Sequence, residues 1–157
     1  MKKFELTNEF ITNMFGTKLF RIRALVEFGD VEAGELGGYV EKESNLGHDD
    51  NAWVYGDAQV SGDALVCGDA RVCGNGDYAY AHGFGSVNRT TTFFRLKDGG
   101  VGVRCGCFYG TLAQFRDKIR ETHGETKKAQ EYLMLADLME LRFEEDENEV
   151  GNRKYVE

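Results

Sequence analysis

From Asn51 to Gly74 the chain reads NAWVYG, DAQVSG, DALVCG and DARVCG, four hexapeptides without a break. Val54, Val60, Val66 and Val72 recur every six residues, and Ala52, Ala58, Ala64 and Ala70 stand two places before them. A fixed period outranks other fold signals. It predicts a triangular coil with one hexapeptide per face, valine inside and alanine where the walls approach. Gly followed by Asp or Asn would mark each corner, because these residues tolerate left-handed backbone. The expected fold class is a β-solenoid plus α+β, with a short left-handed β-helix over 40–80. An N-terminal strand or cap segment (1–39) precedes it. A β-hairpin with two helices (81–143) and an acidic tail (144–157) follow.

The pattern continues less perfectly on either side. Val40 and Leu46 are six apart, but Leu46 and Val54 are eight apart, which predicts a loop at one corner around residues 47–50. Three hexapeptides per coil put residues 18 apart in a stack, so Arg71 would lie over Trp53 and Cys73 over Tyr55. Trp53, Tyr55 and Leu65 would point outward and, with Arg71, form an interface with another subunit or with the flanking domain. A prism this short exposes its ends and needs capping or self-association. Asp57, Asp63 and Asp69 fall on diverging corners and read as turn residues. Cys67 and Cys73 face different walls.

Upstream, Thr17–Phe28 alternates as a half-buried strand, with Phe20, Ile22, Ala24, Val26 and Phe28 on one face. GDVEAGELGG then reads as a glycine-rich connection. Downstream, 90–97 and 100–105 read as a hairpin around Asp98-Gly99, a type I′ pair. A two-residue loop sets Leu96 opposite Val101. Thr92, Phe94, Leu96, Val101, Val103 and Cys105 would then share the face that two helices cover. Thr111 and Gln114 form a capping box for a helix ended by Gly124, and a second helix runs from about Thr126 to Phe143.

The opposite hairpin face carries the chemistry. Phe93 lies between Arg95 and Arg104, with Gly102 and Gly106 beside them, as where a ligand or backbone comes close. Arg89 and Thr91 extend the face, and Gly110 and Thr111 bring helix-start N–H groups suited to an anion. Arg89, Thr91, Phe93, Arg95, Arg104, Gly110 and Thr111 make a candidate site for a nucleotide or other phosphorylated ligand. The competing reading makes Phe93 core and has both arginines bond to acids of the prism. Cys105-Gly-Cys107 supplies two thiols with no second pair at a helpful spacing, so neither metal nor cofactor is expected. His48 and His82 are the weak catalytic candidates, and His123 reads as a helix-terminal residue.

Composition bounds the rest. The net charge is −8, with eight acids between Glu41 and Asp77 and five more from Glu144 to Glu149. That balance argues against direct nucleic-acid binding. No apolar run reaches membrane-span length, and the start of the chain has no apolar leader core, so a cytoplasmic protein with reduced thiols is expected.

The repeats resemble the hexapeptide-repeat superfamily, whose best-known members are trimeric acyltransferases. FRIRALVEFGDVEAGELGGYVEKESNL (20–46), TTFFR (91–95), CGCFYGTLAQF (105–115) and ETHG (121–124) are similar to small phage and prophage proteins described as hexapeptide-repeat transferases. The resemblance implies the prism, a trimer and a bacterial-host cytoplasm. The function expected is a non-catalytic oligomeric binding protein of a phage or mobile element. It would act against host defence, by blocking a nucleoprotein enzyme or by sequestering a nucleotide signal. The alternatives are acyl transfer using His48 or His82 at a subunit interface, or a purely structural oligomerisation module.

Overall fold

A nine-residue strand near the N-terminus, buried at its first residue and exposed further along, opens the fold. A computed structural model describes residues 2–84 and 89–144. The acidic tail beyond Glu144 and the loop positions 85–88 lie outside the described residues. Strands β1 (Phe4–Thr12), β2 (Lys18–Ala24) and β3 (Leu36–Val40) pair antiparallel in sequence order. Strand β5 (Gln59–Val60) adds to β3 in parallel and completes a mixed four-stranded sheet. Strands β4 (Trp53–Val54) and β6 (Arg71–Val72) form a separate parallel pair. The second large sheet is antiparallel, in the order β10-β9-β8-β7. Its members are β7 (Tyr78–Phe84), β8 (Arg89–Arg95), β9 (Val101–Cys105) and β10 (Phe108–Thr111). Helices α1 (Leu112–His123) and α2 (Lys127–Phe143) complete the chain.

The left-handed β-helix expected over 40–80 is therefore corrected. Mixed and antiparallel sheets with two helices form the architecture. The hexapeptides yield only two-residue strands, and β5 joins the N-terminal sheet. Four repeats leave hydrogen-bonding edges open, and the antiparallel strands before them take up that capacity. The six-residue valine period still reports burial. Val54, Val60, Val66 and Val72 are all inaccessible, and Trp53 does pair with Arg71.

Side-chain directions around the repeats differ from expectation. Trp53 does not point outward. It is fully buried, with Phe4 and Phe28 packed edge-on at ring distances of 6.3 and 5.2 Å. Arg71 lies over the Tyr55 ring at 4.8 Å instead of over the indole. Leu65 is half-buried, and its N–H donates to Thr92 Oγ1 of the second sheet at 3.0 Å. The flanking segments of the same chain thus cover these residues. The glycine-rich connection also conceals a strand. A Cβ on Gly37 or Gly38 in β3 would meet backbone oxygens of Val54 or Ala58 at 2.6 and 2.5 Å.

Two cores result, and β8 serves both. The first gathers β1–β3 and the repeat residues, and includes Phe94. The second lies between the antiparallel sheet and the helices, and includes Phe93. The helices form as their sequence predicts. Thr111 Oγ1 accepts from Gln114 N and caps α1, Gly124 ends it, and Thr126 caps α2. Leu112, Phe115 and Ile119 from α1 meet Ala129, Tyr132, Ala136, Met139 and Phe143 from α2. No helix among the described residues is long and apolar enough to cross a membrane.

Candidate functional site

The β8–β9 turn fixes which residues can meet. Leu96 N donates to Gly100 O, and Gly99, at φ +92°, donates to Leu96 O. The loop therefore has three residues and ends on a glycine in left-handed backbone, the usual alternative to a two-residue turn. Each β8 residue now faces a β9 residue one place earlier than expected, so Phe93 pairs with Val103 and Thr91 with Cys105. A one-residue slip moves every side chain of a strand to the other face. Arg89, Thr91, Phe93 and Arg95 do share a face, but with Cys105 and not with Arg104.

The helices cover that face, which corrects the assignment made from sequence. Phe93 is inaccessible, with Phe115 packed edge-on at 6.0 Å. Arg95 donates to the carbonyls of Gly99 and Phe143 at 3.2 and 3.1 Å and closes the end of α2. Arg104 stands on the other face and bonds Gly106 O at 2.8 Å. Thr111 is taken by its cap, and Gly110 sits against the Gln114 and Phe108 side chains. The seven predicted residues therefore do not form one site.

One end of the covered face stays open. Arg89, at the start of β8, and Lys118, on α1, reach a pocket of about 210 Å³. Phe108, Phe115 and Ile119 wall it, and Cys105, Thr122, His123 and Tyr132 bring polar atoms. The Thr91 hydroxyl donates to Cys105 Sγ at 3.2 Å, and that sulfur lies 3.9 Å from the Tyr132 hydroxyl. The His123 ring stacks on Tyr132 at 6.0 Å. Burial first, then the neighbouring Cys105, pushes the Tyr132 phenol up to about 12. It therefore stays protonated and able to donate.

Electrostatically this pocket stands out in an acidic chain, because among the described residues two cations line it and no carboxylate does. Lys118 also lies 4.0 Å from Glu121, which stands outside the lining. Six of the eight acids between Glu41 and Asp77 have partners within the chain. Glu41 accepts from Gly62 N, Glu43 meets Lys2, and Asp50 meets Lys3. Asp57 meets Arg21, Asp63 meets Lys42, and Asp77 accepts from the N–H groups of Cys73 and Gly74. In a larger cleft of about 530 Å³ beside Tyr55 and Arg71, Asp30 binds Tyr55 at 3.1 Å and Arg71 at 3.5 Å.

His48 and His82 both have partners within the chain. His48 Nδ1 accepts the Lys3 N–H at 3.1 Å, its Nε2 lies 3.5 Å from Glu43, and its ring stacks on Phe4 at 4.3 Å. His82 Nδ1 lies 2.7 Å from Thr90 Oγ1 on an exposed strand. Lys118, His123, Tyr132 and Cys105 were missed as site residues. Their signal was the hairpin register, which places Cys105 under Tyr132. Comparison with family models, curated proteins and solved structures returned no match to this chain.

Proposed function

We propose that this is a non-catalytic binding protein that holds a small organic anion in the Arg89–Lys118 pocket. The observation that carries the reading is two cations over aromatic walls, with no lining carboxylate among the described residues, in a chain of net charge −8. Pockets for drug-sized ligands usually span roughly 300–1,000 Å³. A volume of about 210 Å³ suits a compact carboxylate or phosphate ester better than an enclosed nucleotide. The resemblance to phage and prophage proteins supports a role inside an infected bacterial cell, where such a protein would trap a host-made signal. The internal pairing of the acids between Glu41 and Asp77 speaks against blocking a nucleoprotein enzyme through an acidic face. Acyl transfer has less support, because both ring nitrogens of His48 are engaged. The trimer belongs to the same proposal and draws support from the exposed Met134, Leu138 and Leu141 along α2.

Native mass spectrometry of protein taken from bacterial cytosol tests the reading, together with titration by short aromatic carboxylates and phosphate monoesters. Retained mass lost on denaturation, or nuclear magnetic resonance shifts at Tyr132 and His123, is the expected result. Arg89→Ala and Lys118→Ala should each weaken binding about tenfold, the size of one lost charge-assisted contact. Identical titrations for wild type and both variants would remove the pocket from consideration.

A further inference from the structure

Four cysteines sit in four environments. Cys67 is buried against the repeats, and that burial pushes its thiol up to about 11. Cys73 and Cys107 are exposed, and Cys73 lines a wider cleft where Asp77 and Glu144 accompany Arg95 and Arg142. Cys105 is half-buried and lines a cavity whose lining, among the described residues, has two cations and no carboxylate. Reactive cysteines typically occupy electropositive, partly exposed surroundings, whereas buried ones are inert. Hydroxyls of Thr91 and Tyr132 lie 3.2 and 3.9 Å from the Cys105 sulfur and can both donate to it when it carries negative charge. Arg89 and Lys118 would hold a carboxylate on the incoming molecule, and Phe108 would wall its body.

We infer that Cys105 is a covalent modification site for small anionic disulfides, which Arg89 and Lys118 draw into the pocket. The inference rests on the anion-binding reading of that pocket. In the reaction the Cys105 thiol first gives its proton to solvent. The thiolate then attacks one sulfur of a low-molecular-weight disulfide that carries carboxylates. A mixed disulfide forms between Cys105 and that sulfur, and the original S–S bond breaks. The departing thiolate takes a proton from solvent and leaves as the free thiol. The Cys105 sulfur is oxidised and the departing half is reduced, so the disulfide itself is the oxidant.

Two aromatic disulfides on the full chain make the test, one bearing a carboxylate on each ring and one neutral dipyridyl. Peptide mapping by mass spectrometry assigns each adduct to its cysteine. The anionic-to-neutral rate ratio at Cys105 should exceed that at Cys107 of the same chain by about tenfold at low salt, the lower end of electrostatic steering. Lys118→Ala and Arg89→Ala should bring the Cys105 ratio down to that of Cys107, as should raised ionic strength. Equal ratios in the wild-type protein, or adducts confined to Cys73 and Cys107, would overturn the inference. A parallel titration with an unreactive aromatic carboxylate separates the two claims. Shifts at Tyr132 with equal rate ratios would leave the anion site standing without its covalent chemistry, whereas absence of both would remove both.

Discussion

Lys3 carries an ammonium into a nearly closed interior, and the corner loop at residues 47–50 makes this tolerable. Its Nζ donates to the carbonyls of Ala52 and Asp50 at 2.6 and 3.0 Å and lies 4.5 Å from the Phe28 ring centre. Burial still holds its pKa below the usual lysine range, against the attraction of Asp50. Asp50 also accepts from Gly68 N at 2.7 Å and so ties the N-terminal strand to the third hexapeptide. The tyrosines give this scale its prediction. Burial pushes Tyr55 up to about 12, helped by its bond to Asp30, and Tyr132 goes to about 12 for the reasons given above. Each ionises near 10 when unfolded. Between about 10 and about 12 the unfolded chain therefore binds fewer protons than the folded one, and stability falls as pH rises. Phenolate absorbance during an alkaline titration should show two tyrosines ionising last, together with unfolding. Tyr132→Phe should remove one of them.

At the scale of elements, β3 is the most constrained, because it runs directly against the repeats. Gly38→Ala would set a methyl 2.5 Å from Ala58 O and 2.7 Å from Val54 Cγ1. Overpacking of this kind costs about 1–3 kcal/mol, so the urea midpoint should drop with the slope unchanged. An unchanged midpoint would show that β3 has room to move. The helices were legible in the sequence because their signals are local: a capping box, a terminal glycine and apolar residues three and four apart. The hairpin was legible in outline only. Asp98-Gly99 favours a two-residue turn, and nothing in those few residues reveals that Gly99 closes a three-residue loop. That single step hid Cys105 from the site while leaving Arg89, Thr91, Phe93 and Arg95 correctly grouped. The repeats misled for a related reason. A six-residue period reports which side chains are buried, but it does not say which strands complete the hydrogen bonding. The N-terminal strands that do so carry no period of six.

The molecule as a whole is organised around β8. Phe94 packs with the repeats and Phe93 with the helices, so the two cores share one strand. The single tryptophan reports on the first core, and the helices, by circular dichroism, report on the second. Thermal unfolding followed by Trp53 fluorescence should therefore coincide with loss of the helical signal, as for one cooperative unit. Two separated transitions would mean that β8 does not couple the cores.

The sharing of β8 also limits how a gene for this chain can vary in length. The corner at residues 47–50 already holds two residues beyond the hexapeptide rhythm and uses them to grip Lys3. One codon gained or lost within β8 would instead exchange the places of Phe93 and Phe94. Arg89 would turn away from its pocket, and both cores would be wrong at once. Length variants among natural versions of this protein should accumulate at its corners and stay out of that strand.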